Sequence, residues 1–122
     1  MVALMHRHGV PFLAGTDTPP GVYVFPGFSL HDELQIFVRA GFTPLEALQT
    51  ATINPAVFLG LERDLGTVEV GKAADLVLLD ANPLADIANT KRISGVVLRG
   101  RFFSRADLDR MLAGVVAVAG RS

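Results

Sequence analysis

The sequence predicts an α/β chain whose first half is mostly helix and whose second half is a small β unit closed by a terminal helix. Three observations carry this. Apolar residues recur at helical spacing through 29–59. After Gly60 the period shortens to runs such as Leu76-Val77-Leu78-Leu79 between Asp75 and Asp80, which suit strands. The short run Val10-Pro11-Phe12-Leu13-Ala14-Gly15 is too uniformly apolar for a half-exposed strand and suits one covered on both faces, as in a parallel sheet.

The elements follow in order. Residues 1–8 read as the end of a helix, with Gly9 in the position that favours positive φ. Residues 10–15 form the apolar strand, with Thr16-Asp17-Thr18 at its end and a Pro/Gly-rich loop over 19–28. Ser29, with Asp32 three residues on, is expected to cap a helix to Ala40 whose stripe is Leu30, Leu34, Phe37 and Val38. Thr43-Pro44-Leu45-Glu46 carries the cap, first-turn proline and third-position glutamate of a capping box. That helix should break near Asn54-Pro55, with a short piece running from Ala56 to Leu59. Strands are expected at 65–70, 74–80 and 93–98, then a hairpin through Gly100 into Arg101-Phe102-Phe103. Ser104 and Asp107 cap a last helix with the stripe Leu108, Met111, Leu112, Val115 and Val116.

Composition narrows the function. The 122 residues carry 11 Lys+Arg against 12 Asp+Glu, a net charge of -1, which offers no electrostatic case for nucleic acid or an anionic membrane. Cys is absent, excluding disulfides and thiolate metal sites. No apolar run approaches the ~18–20 residues of a membrane span, and the expected location is cytoplasmic. Charge is unevenly spread: Arg7, Asp17, Asp32, Glu33, Arg39 and Glu46 are the whole complement of 1–60. A folded surface carries about 25–35% charged residues, so this half is expected to pack against another chain or further sequence. A two-layer domain with an uncharged polar surface is the alternative.

Asp17 is the sharpest candidate for chemistry. A carboxylate at the C-terminal end of a buried parallel strand sits where barrel enzymes place catalytic groups. It could bind a divalent metal and move protons, with Thr16 and Thr18 to orient it. An aspartate capping the following turn is the alternative.

The ordered set GTDT, LHDEL, AGFTPLEAL, TINPAVFLGL and GTVEVGKAADLVLLDANPL resembles the C-terminal portion of metal-dependent amidohydrolases, nearest the imidazolonepropionase-like and prolidase-like branch. The resemblance covers about Gly9 to Arg101. It implies the last strand and helices of a (β/α)8 barrel in 1–60, strands of a composite β-sandwich in 61–104, and a terminal helix and tail in 105–122. It implies hydrolysis of a carbon–nitrogen bond in a small amide, cyclic amide or dipeptide by metal-activated water. Asp17 then matches the family's last-strand aspartate, as metal ligand and general acid/base. The metal implied is divalent, zinc first, as one or two ions whose other ligands this chain lacks. His31, in LHDEL, is a candidate substrate contact, against a surface or capping histidine. Lys72 and Asp75 match the family in structural roles. His6-Arg7-His8 imitates an HxH metal pair but lies in the first helix, where residues two apart face different ways. The implied partner is the remainder of a barrel or a second copy. The isolated chain is expected to be inactive, and the rival reading is a self-associating module without catalysis.

Overall fold

The computed structural model describes residues 1–17 and 27–119. The order is α1 (Val2–Arg7), α2 (Phe28–Arg39), α3 (Pro44–Thr50), α4 (Ile53–Phe58), β1 (Leu76–Leu79), a 3₁₀ turn (Ile87–Lys91), β2 (Ile93–Leu98), β3 (Arg101–Ser104) and α5 (Arg105–Ala119). The strands form one antiparallel sheet in the order β1-β2-β3, with Leu76 opposite Val97 and Leu98 opposite Arg101. Among the described residues the β unit is this one three-stranded sheet.

Local capping explains the sharpest element starts. The Thr43 side chain accepts from the Glu46 N–H, and Glu46 Oε2 accepts from the Thr43 N–H at 2.7 Å. Ser104 and Asp107 make the same reciprocal pair at the head of α5. Asp107 is held down to about 2, first by the Ser104 hydroxyl, then by the Ser104 N–H and the Arg110 guanidinium. Ser29 is not the N-cap: α2 starts at Phe28, after Gly27 at φ 84°, so Ser29 lies in its first turn. The helix break falls at Thr52, before the predicted one, and Pro55 lies in the first turn of α4, where its missing N–H leaves no intrahelical bond unmade.

Two predicted strands are corrected. Residues 10–16 carry no regular secondary structure and belong to no ladder. A strand exists only through a neighbour's hydrogen bonds, and no neighbouring strand lies beside this run among the described residues. Residues 65–70 are a turn-rich loop. Gly66, at φ 90°, lies so close to α4 that a Cβ there would sit 2.9 Å from the Ile53 Cα. Lys72 closes the loop by donating to the Glu62 carbonyl at 2.7 Å and to the Thr67 hydroxyl at 2.5 Å.

The core joins Leu34, Phe37, Phe42, Ala47 and Ile87, with Phe12 and Ala14 packed against it. Phe12, Phe37 and Phe42 meet edge-on or tilted, with centroids 5.0–5.9 Å apart, geometry that aromatic quadrupoles favour. Ile87 comes from the 3₁₀ turn, so the β unit completes the helical core. Lys91 fastens the same turn to α2 through Asp32 at 2.6 Å. Many large apolar side chains stay exposed in the charge-poor half, among them Met1, Leu4, Phe28, Ile36, Phe58 and Leu59.

Candidate functional site

The segment 10–17 is held from one side by the helices. The Asn54 amide donates to the Phe12 carbonyl at 3.0 Å. The Ala14 N–H donates to the Thr50 carbonyl at 2.9 Å. The Gly15 N–H donates to Glu33 Oε1 at 2.9 Å. Three anchors on α2, α3 and α4 thus replace the ladder that a strand would have. At the end of this run Asp17 is exposed and takes φ 53°. The left-handed region is tolerated by Asp better than by most residues, yet it still costs more than in Gly.

Sequence reasoning passed over Glu33 and Asn54. Each touches a partner more than a dozen residues away, which periodicity does not report. A signal existed for Glu33: it lies four residues before the buried Phe37, on the inward side of α2. A charge placed there requires a partner. Asn54 ties α4 to the segment, which gives the TINPA run a physical reason.

His31 is elsewhere. It is half-buried and lines a cavity of about 480 Å³ between α2, α3 and the β unit, with Leu30, Leu34, Leu48, Leu65 and Leu76. Asp17 does not line this cavity. The His31 Nδ1 is buried with no hydrogen-bond partner among the described residues. Burial, and then the Lys91 charge, lower the His31 pKa and favour the neutral ring. The structure therefore does not bring His31 and Asp17 into one pocket.

The HRH pair divides as helical spacing predicts. His6 stacks on Phe42 with centroids 3.7 Å apart and reaches Glu46 Oε2 at 3.6 Å, while His8 is exposed. Asp75 Oδ1 accepts the Arg99 N–H at 2.5 Å and so braces the β2–β3 turn. The Pro/Gly loop expected beside the site falls, over 18–26, outside the described residues.

A divalent metal needs several donors brought to one point. Among the described residues no group of three or more His, Cys, Asp or Glu side chains converges. Catalytic metal sites use three or more protein ligands. These residues do not by themselves fit a metal centre; Asp17 could be one donor of a larger set. Among them, also, no helix is long and apolar enough to cross a membrane.

Comparison with known proteins bears on the same residues. A family model described as "Amidohydrolase family" matches residues 1–103. An imidazolonepropionase from Sphingopyxis alaskensis is 40% identical over 87 residues, 70% of this chain and 21% of the relative. The ochratoxinase of Aspergillus niger is 38% identical over 102 residues, 80% of this chain and 20% of the relative. A solved Xaa-Pro dipeptidase with methionine bound in its active site superimposes with TM-score 0.75 at 29% identity, covering 84% of this chain and 24% of its own. The chain spans about a fifth of the length of the curated relatives it matches, and the likeness indicates a piece of a TIM-barrel-family fold. The chain belongs to the amidohydrolase family and matches the C-terminal portion of its imidazolonepropionase-like and prolidase-like members.

Proposed function

We propose that this chain supplies the last-strand aspartate, Asp17, to an amidohydrolase site completed by polypeptide outside it. The reaction is hydrolysis of a carbon–nitrogen bond in a small amide, cyclic amide or dipeptide. One observation carries the reading: a chain of this family presents an exposed, left-handed aspartate at the end of a segment anchored to three helices. A flexible turn aspartate would not need anchoring from three helices. The names of the relatives, an imidazolonepropionase and a Xaa-Pro dipeptidase, support the substrate class.

The residues of this chain act as follows. The Asp17 carboxylate accepts a proton from the attacking water as its oxygen bonds to the carbonyl carbon. The same proton passes to the leaving nitrogen as the carbon–nitrogen bond breaks. A divalent metal, zinc by family likeness, supplies Lewis acidity once its remaining ligands are provided; Asp17 would be one of them. His31 was a candidate substrate contact on sequence grounds. Its apolar surroundings support a neutral, packed histidine at the seam between helices and β unit.

The test is complementation. The chain is purified alone and with a polypeptide carrying the rest of a family barrel, then assayed for hydrolysis of dipeptides and cyclic amides and for bound metal. No turnover alone, turnover in the complex, and loss of turnover in Asp17→Ala are expected. Tight metal and turnover in the isolated chain would overturn the incomplete-site reading. Full activity of Asp17→Ala in the complex would remove the role given to that residue.

A non-catalytic, self-associating module is the second reading, favoured by the exposed Met111, Leu112, Val115 and Val116 of α5. A concentration-dependent oligomer that never gains turnover on complementation would select it.

A further inference from the structure

Resting on the Asp17 reading, we infer that Glu33 is the positioning residue for Asp17. The carboxylate sits on the inward side of α2, in the turn before the buried Phe37, at a place where the helix otherwise presents apolar groups. A charge there is costly unless it does something that an apolar group cannot. Glu33 Oε1 takes the Gly15 N–H at 2.9 Å, two residues before Asp17. Its second oxygen, Oε2, is buried and has no hydrogen-bond partner among the described residues.

The anchors from α3 and α4 act further from Asp17. Asn54 grips Phe12, five residues before Asp17, and the Thr50 carbonyl grips Ala14, three before it. Beyond Gly15 the backbone turns within two residues into the left-handed conformation of Asp17. Glu33 therefore fixes the peptide that leads into this turn, two residues before Asp17, and with it the position from which the Asp17 carboxylate is presented. Glu33 touches no reacting atom; it acts through the backbone.

The test needs no completed enzyme. In the full chain, labelled with ¹⁵N and ¹³C, hydrogen exchange of the Gly15 amide and the backbone and Cβ signals of Asp17 are followed by NMR. Glu33→Ala should speed Gly15 exchange by about tenfold or more, the loss of one hydrogen bond to a charged acceptor. It should also move the Asp17 signals, while signals of β1–β3 stay in place. Glu33→Gln keeps an acceptor oxygen at the same reach and should restore both readouts to near wild type. A merely structural role would lower the melting temperature without moving Asp17 and would not be rescued selectively by glutamine. Should Glu33→Ala fail to fold, Glu33→Met keeps the volume and removes the acceptor. Wild-type Gly15 exchange and Asp17 signals in whichever of these variants folds would overturn the inference. These readouts fail separately from the hydrolysis assay, in which Asp17→Ala alone judges the proposed chemistry.

Discussion

Among the described residues, two that are not glycine have a left-handed backbone, and the two are held very differently. Arg99, at φ 50°, sits in the two-residue turn between β2 and β3 with Gly100 at φ 77°. Both positive angles are what a tight type I′ hairpin turn demands, and paired strands on either side enforce them. Asp75 adds its bond to the Arg99 N–H, and the Gly100 N–H reaches the Ala74 carbonyl at 3.0 Å. The conformation of Arg99 is thus explained within the hairpin and its neighbouring strand. Asp17, at φ 53°, has no ladder on its N-terminal side. Contacts from three separate helices lead up to it. An unfavourable backbone angle outside a hairpin turn is of the kind that clusters at functional positions.

The largest effect is expected where the anchoring of Asp17 depends on the core. Phe37 is buried and packs on both Phe12 and Phe42. Phe37→Ala should cost about 3–5 kcal/mol of stability, read by urea unfolding. Segment 10–17 should lose its NMR dispersion before the β2–β3 hairpin does. Equal loss in both regions would break the contrast drawn between them.

Substituting glycine at the two left-handed positions sharpens it further. Arg99→Gly should raise stability by up to about 1 kcal/mol, because glycine meets no Cβ penalty at positive φ. Asp17→Gly should stabilise by a similar, smaller amount, since aspartate tolerates this region better. Thermal melts check both. A large loss on Asp17→Gly would show that its side chain holds the fold, leaving no need for a functional account of its backbone angle.

The smallest expected effect concerns pH. The folded His31 pKa lies below its ordinary 6.5, chiefly through burial. Above 6.5 the ring is neutral in both folded and unfolded chain, and nothing is lost. As pH falls below 6.5 the unfolded chain takes up the proton first, so stability drops until the folded ring also protonates. The melting temperature should therefore decline on acidification through this range. His31→Gln should flatten part of that decline; an unchanged slope would count against a buried, neutral ring.

How much could be read from the sequence depended on how local the cause was. The capping boxes Thr43/Glu46 and Ser104/Asp107 each lie within one turn, and both formed as expected. Strands β1, β2 and β3 were also legible, because their apolar runs are bounded by turn residues and paired through short connections. Ser29 misled because glycine at 27 started α2 first. The run 65–70 alternates like a strand, but Lys72 and the close approach of Gly66 to α4 fold it into a loop. At the candidate site, Asp17 could be picked out by its motif. Glu33 and Asn54, which aim and anchor its segment, could not, because their partners are 18 and 42 residues distant.

Ile87 closes a core whose other buried members all lie between residues 34 and 47. On the ribosome the chain emerges from its N-terminus, so the four helices of the first half are exposed before the residue that seals them has been synthesised. Until then Leu34, Phe37 and Phe42 remain open to chaperones, proteases and one another. Completion of this core thus waits for a turn that belongs to the β unit.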